Sequence, residues 1–203
     1  MQAISSDRHA PPGVRLGQAA SRVNAAARPG LNTLARGSSR LTGVRALVES
    51  DRDAVRAHLL RLSLEDRALR FACAISDELI ESFAATMALD GSLGLFLDGE
   101  LAGMAHLPHL SPDEVELGIS LDARSRTHGW GRMLLGASLE STYATGHQGL
   151  TACYATYNRP MAQLLRGVAT SATRDGTEIT ARVELEDWAA QAHASNRLIE
   201  TEA

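Results

Sequence analysis

From residue 41 onward the apolar positions follow two periodicities, and together these divide the chain into elements. Residues 44–48 (V-R-A-L-V) predict a strand, and Ser50 with Asp53 predicts a helix start with an acid at its third position. Ala54, Val55, His58, Leu59 and Leu62 then share one helical face. A second helix is expected after Ser76, burying Leu79, Ile80, Phe83, Ala84 and Met87. Two apolar runs, 93–98 and 100–107, meet at Asp98-Gly99, a pair suited to the positive φ angles of a tight hairpin. After Ser111-Pro112-Asp113, residues 114–121 alternate strictly. Val115, Leu117, Ile119 and Leu121 take one side, and Glu114, Glu116, Gly118 and Ser120 the other. A loop over 124–131 opens a helix that runs to Thr145 and stops at Gly146. A strand at 149–156, a helix capped by Asn158 and a strand at 177–185 after Asp175-Gly176 complete the order β-α-α-β-β-β-α-β-α-β. Three antiparallel strands ahead of a βαβ unit predict an α/β domain whose mixed sheet has helices on both faces.

Residues 1–40 break the pattern. They are rich in Ala, Ser, Gly and Arg, with Pro11, Pro12 and Pro29 and few large apolar residues, so a disordered tail is expected. An Arg-rich, acid-poor start is also a feature of organelle transit peptides, with a bacterial tail or a misassigned start codon as the blander account. The expected division is a tail at 1–40, a folded domain at 41–187 and a C-terminal tail or short helix at 188–203.

Charge narrows the range of partners. Residues 1–40 hold six arginines against one acid, a balance of +5, while the whole chain is −4, so the remainder carries −9. A folded part so acidic argues against nucleic acid as the main partner. No apolar run approaches the length of a membrane span, so no membrane partner is expected. Cys73 and Cys153 lack C-x-x-C spacing, which argues against a disulfide framework or a zinc site and fits a reducing, cytoplasmic setting. All 20 basic residues are arginine, so the chain offers no lysine side chain to acylate.

The chemistry is concentrated in residues 114–135, E-V-E-L-G-I-S-L-D-A-R-S-R-T-H-G-W-G-R-M-L-L. A strand runs into a short loop, with Gly129 and Gly131 where the next helix begins. The first N–H groups of a helix have no internal partner and the helix dipole is positive there, so an anion fits. The two glycines admit a phosphate close to the backbone, and Arg126 and Arg132 add positive charge. Glycines before a helix also serve plain structural turns, and neither G-x-x-x-x-G-K-[ST] nor G-x-G-x-x-G is present. R-T-H-G-W-G does resemble the R/Q-x-x-G-x-G/A signature of the GNAT acyltransferases, which cradles the pyrophosphate of acetyl-CoA. The strand before the loop, the helix and strand after it, and N-R-P-M-A-Q-L-L-R-G-V from Asn158 follow that family's order. L-S-L-E-D-R-A-L-R-F (62–71) resembles the L-S-x-E-x-R-x-x-R-F element of a bacterial subgroup. The resemblance spans residues 42–186. It implies a GNAT-like sheet, mixed but mostly antiparallel, with one splayed strand pair.

The resemblance also implies a cytoplasmic, bacterial N-acetyltransferase that moves an acetyl group from acetyl-CoA to a primary amine of a small molecule or protein, without a metal. The acyl thioester would lie between strands 114–121 and 149–156, held by backbone groups of Leu117, Ile119, Ser120 and Leu121. Backbone N–H groups of Arg126, Thr127, His128, Gly129, Trp130 and Gly131, with Arg132, would hold the pyrophosphate, although Trp130 is also placed to pack under its helix and His128 to face solvent. Asn158 would contact the pantetheine arm, cap its helix, or do both. An ammonium acceptor must lose a proton before attacking the thioester, which suits a carboxylate whose pKa is raised by partial burial. Glu116 lies ten residues before Arg126, as does a catalytic glutamate in some members, and is the candidate base. Glu114 is the second choice, and a solvated charged face is the alternative for both. The tyrosine often found seven residues after the asparagine, as general acid for the thiolate, is Leu165 here. Tyr154 and Tyr157 are substitutes nearby in sequence, with aromatic packing as their other role. A thiolate is a weak base, with free thiols near pKa ~8.5, so acid help is dispensable in principle. The usual Gly-Phe pair after this helix is replaced by Gly167-Val168-Ala169.

Other candidates are weaker. His106 and His109 form an H-x-x-H without a third ligand nearby, and Cys153 is expected to be a small core residue. The competing function is a non-catalytic acetyl-CoA-binding module whose Arg-rich tail docks on an acidic partner. Dimers are common in the family, so a homodimer is one expected state.

Overall fold

The computed structural model describes residues 42–192. The expected tail at 1–40, and the part of the C-terminal segment beyond residue 192, lie outside them, while residues 185–192 are helical. In chain order the strands are β1 (Gly43–Ala46), β2 (Leu93–Leu97), β3 (Glu100–His106), β4 (His109–Ser111), β5 (Glu114–Glu116), β6 (Gly118–Leu121), β7 (Gly149–Ala155), β8 (Ser171–Asp175) and β9 (Glu178–Glu184). The helices are α1 (Arg52–Arg61), α2 (Leu64–Phe71), α3 (Asp77–Thr86), α4 (Trp130–Ala144) and α5 (Arg159–Leu165).

The strands form two sheets, β1-β2-β3-β6 and β4-β5-β7-β9-β8. Every pairing is antiparallel except that of β5 with β7. The predicted hairpin is present, with φ of 53° at Asp98 and 82° at Gly99 between β2 and β3. α1 and α3 close one core on β3, in which Val55, Leu59, Ile80, Ala84 and Met104 are buried. α4 and α5 close the other with Leu134, Leu139, Leu150, Met161 and Val183. The expected mixed sheet with helices on both faces is therefore found.

Several expectations shift. α1 does not start on Ser50, because a 3-10 turn at Glu49–Asp51 precedes it. Asp51 turns back to accept from the Val48 N–H and from Arg45, so it cannot cap the helix in the usual way. Leu79 is 59% exposed rather than buried, since the buried stripe of α3 runs through Ile80 and Ala84. The sequence reading had no helix at 64–71 and no strands at 109–111 and 171–175. α2 starts where the Ser63 hydroxyl accepts from the Asp66 N–H. Most consequential, residues 114–121 are not one strand.

Candidate active site

At Leu117 the chain passes from one sheet to the other. On its N-terminal side β5 runs parallel to β7, Glu116 opposite Thr151, and the Leu117 N–H still donates to Thr151 O at 2.7 Å. On its C-terminal side β6 pairs with β3, Gly118 opposite His106, and no ladder bond joins β6 to β7. Backbone groups on the facing edges of β6 and the second half of β7 are thus left for another partner, as a strand that changes sheets requires. A solvent-open cleft of about 340 Å³ occupies this wedge, with Arg70, Glu116, Gly118, Cys153, Tyr154 and Asn158 among its lining.

β6 leads from the wedge into the glycine loop. A 3-10 turn spans Ala123–Ser125, Thr127 takes φ of 67°, and Gly129 takes φ of 81° as the N-cap of α4. From Thr127 to Arg132 the backbone N–H groups find no acceptor among the described residues, and the Met133 N–H closes the first helical bond on Gly129 O at 3.1 Å. Six unbonded donors thus lie at the positive end of a 15-residue helix, where an anion is favoured. A Cβ on Gly131 would come within 3.2 Å of Leu121 Cδ1. Arg126 is already engaged: it donates to Leu121 O at 3.1 Å and pairs with Asp66 of α2 at 2.7 Å. Arg132 is exposed and makes no ion pair among the described residues. His128 is exposed, and Trp130 is half-buried at the first helical position.

Other predicted residues separate by position. Glu116 is half-buried and reaches the cleft. Glu114, its rival, is held by Arg182 at 3.1 Å and by the Thr151 hydroxyl. Asn158 caps α5 by accepting from the Met161 N–H at 3.1 Å, and its amide also reaches Leu69 O at 3.4 Å, so it ties α2 to the cleft. Tyr154 is buried at the cleft, whereas Tyr157 is 63% exposed. Leu165 is core. Ser120 turns its hydroxyl away from the wedge to His58, and its position in β6 leaves only backbone for a ligand there. Cys153 is exposed rather than core, because it leaves β7 on the face opposite Ala152 and Tyr154. Burial raises its thiol pKa, the Thr180 hydroxyl opposes this, and the Glu116 charge adds to it, so the thiolate is disfavoured. His109 bonds to His147 at 2.9 Å, while His106 packs edge-on to Phe83.

The sequence reading missed Arg70 and the environment of His106. Burial, then the nearby charge of Arg70, pushes His106 down from 6.5 to about 4, against an opposing pull from the Ala88 carbonyl. The unfolded chain therefore takes up this proton near pH 6.5 while the folded one refuses it until about pH 4. Stability from this group is full above the unfolded value and is lost as pH falls toward the folded one. Between pH 7 and 5 the loss is about 2 kcal/mol. Urea unfolding of His106→Gln should show a correspondingly shallower fall, and identical falls in the two proteins would assign the proton uptake elsewhere.

No protein-family model matches the sequence, and no curated protein does. Solved structures do match. The GNAT domain of S. lividans PAT aligns over 70% of this chain and 89% of its own, at 17% identity and a TM-score of 0.59. The fold is the GNAT fold. PaiA N-acetyltransferase from Thermoplasma acidophilum, solved with coenzyme A, aligns over 71% of this chain and 99% of its own at 18% identity, TM-score 0.55. YncA from Salmonella typhimurium, a putative acetyltransferase solved with acetyl-CoA, aligns over 71% and 94% at 15% identity, TM-score 0.52.

Proposed function

We propose that this chain is an N-acetyltransferase that uses acetyl-CoA as acyl donor and a primary amine as acceptor. The observation carrying this is the wedge between β6 and β7, which leads through β6 to an unbonded N–H cradle at the start of α4. The GNAT neighbours solved with coenzyme A or acetyl-CoA support the same donor. Residues 41–187 are taken as the catalytic domain. A cytoplasmic setting is part of the same proposal; among the described residues no helix is long and apolar enough to cross a membrane.

The residues present fit such a donor. The cradle from Thr127 to Arg132 would hold the pyrophosphate, whereas the expected Arg126 N–H is already bonded to Ala123 O at 3.3 Å in the preceding turn. Backbone groups from Leu117 to Leu121 and the Asn158 side chain would hold the pantetheine arm and acyl carbonyl. Acetyl-CoA supplies an activated thioester carbon. Glu116 takes the proton from the acceptor ammonium, directly or through water, freeing its lone pair to attack that carbon. The new N–C bond forms as the C–S bond breaks, the thiolate leaves with the electron pair, and the second proton of the acylated nitrogen is released to water or to the departing thiolate, leaving a neutral amide. Tyr154 stands in the cleft as the candidate proton donor to the sulfur.

Leu165 in place of the family's tyrosine keeps the non-catalytic module in play as a second reading. Calorimetry of the full chain with acetyl-CoA, desulpho-CoA and 3′-dephospho-CoA tests donor binding, and thiol release with an amine library tests turnover. Gly129→Val, which forces a β-branched residue to φ near 81°, should weaken acetyl-CoA binding about tenfold or more. Gly131→Leu should do the same by crowding Leu121. Unchanged binding in both would make the loop a structural turn. Binding without turnover would favour the module.

A further inference from the structure

Two arginines of α2 stand one turn apart and are treated in opposite ways. Arg67 is buried, and each nitrogen of its guanidinium is bonded: Nη2 to Leu60 O at 2.7 Å, Nε to Leu62 O at 3.0 Å and Nη1 to Asp77 at 2.6 Å. Arg70 reaches the cleft with no such partners. Its Nε is buried and unbonded, and the guanidinium makes no ion pair among the described residues. The carboxylate whose charge acts on it is that of Glu116, without a hydrogen bond or ion pair. On its other side the guanidinium lies 5.0 Å from the centre of the Phe71 ring. Gly118 makes the position possible, because a Cβ there would overlap the guanidinium.

Arg70 is half-buried, with its outer nitrogens open to the cleft and its Nε out of water and unbonded. A guanidinium held so without a partner is unfavourable, and such groups are found where a ligand completes the set. Burial lowers Arg70 to about 10, which leaves it cationic at neutral pH. The neutral His106 beside it offers no negative charge. The missing partner is therefore an anion, and the planar fork of a guanidinium matches a carboxylate. In the same cleft the Glu116 carboxylate is placed to accept from a cation or an amine N–H.

We propose that Arg70 and Glu116 form a zwitterion subsite, and that the acceptor is a primary amine bearing a carboxylate close by, as in an α-amino acid. Arg70 binds the acceptor carboxylate while Glu116 receives the ammonium and removes its proton. The inference rests on the acetyl-transfer reading above and narrows its acceptor. Acetylation of a lysine side chain within a protein is the class it disfavours, since that amine has no carboxylate beside it.

The test compares matched acceptors on the full chain: free amino acids, their carboxamides, and the amines lacking the carboxyl group. Acetyl-CoA binding is measured alongside by calorimetry. The free acids should be preferred over their amides by about 10- to 100-fold in kcat/KM, mainly through KM. Arg70→Met should bring that ratio close to one, and Arg70→Lys should restore part of it, with circular dichroism confirming that both variants fold. Should Arg70→Met not fold, the acid-to-amide ratio of the wild-type protein decides alone. Amides equal to or better than acids, or turnover only with protein lysines, would overturn the subsite and leave the acetyl-transfer reading intact. A uniform fall in kcat for every amine in Arg70→Met would also overturn it. Failure of acetyl-CoA to bind would remove the acetyl-transfer reading itself, and the subsite with it.

Discussion

Glu116→Gln is expected to lower kcat about 10²- to 10⁴-fold while acetyl-CoA binding, measured by calorimetry, stays within about twofold. The substitution keeps the shape of the side chain and removes its capacity to take a proton. The donor would be held by backbone groups of β6 and the α4 loop, which this change leaves in place. Glu116 is half-buried at the point where β5 leaves the sheet, with Leu117 the last residue bonded to β7. A base there would face an amine entering the wedge. A rival role exists, because the charge of Glu116 also acts on Arg70. If it served only as a counter-charge, Gln would change acceptor KM and leave kcat near its original value. Loss of kcat at saturating acceptor, with donor binding kept, selects the base. Retained kcat removes Glu116 from the proton transfer.

The sheet and the backbone shape of the glycine loop were legible because each rests on local backbone requirements. Asp98-Gly99 and Gly129 sit at positive φ, and the alternation of 114–121 correctly assigns Val115 and Leu117 to the core. The division of that stretch into β5 and β6 was not legible, because alternation records which face a side chain takes and not which sheet its backbone joins. α2 escaped for a related reason. It is only eight residues long, with four charged side chains interleaved among the apolar ones, and its clear start cue is Ser63 ahead of Asp66. Missing the helix meant missing what its residues do: Asp66 holds Arg126 of the loop, Arg67 is locked into the fold, and Arg70 enters the cleft. Nothing in the spelling of L-E-D-R-A-L-R-F separates the satisfied arginine from the unsatisfied one. That difference arises from Gly118, 48 residues away in the chain, which leaves room for the second guanidinium. Glu114 and Glu116 were likewise indistinguishable by pattern, and it is Arg182 on β9 that occupies the first.

His58→Ala is expected to cost about 3–5 kcal/mol of stability, read from the urea midpoint at pH 7. His58 is entirely buried on α1. Its Nδ1 donates to Asp122 at 2.9 Å, since a carboxylate can only accept, and its Nε2 meets the Ser120 hydroxyl at 2.9 Å. The line Ser120–His58–Asp122 has the connectivity of a hydrolytic triad. Its members are 8%, 0% and 7% exposed, however, so an acyl group has no route to that hydroxyl. The arrangement is better understood as a strut that pins β6, the strand lining the wedge, to α1. Removing the imidazole leaves a void and strips the nearly buried Asp122 of its closest partner, with Arg61 at 3.1 Å remaining. Burial raises Asp122, yet the bonds from His58 and then Arg61 outweigh it and the net shift is downward from 3.8. Its contribution is therefore present above the unfolded value near pH 3.8 and is lost as pH falls through the lower folded value. In His58→Ala that acid-labile part should shrink along with the stability at pH 7. Ser120→Ala, by contrast, should leave acetyl transfer in place, because β6 would hold the donor through its backbone. A loss of turnover in a folded Ser120→Ala protein would instead make that hydroxyl part of the chemistry.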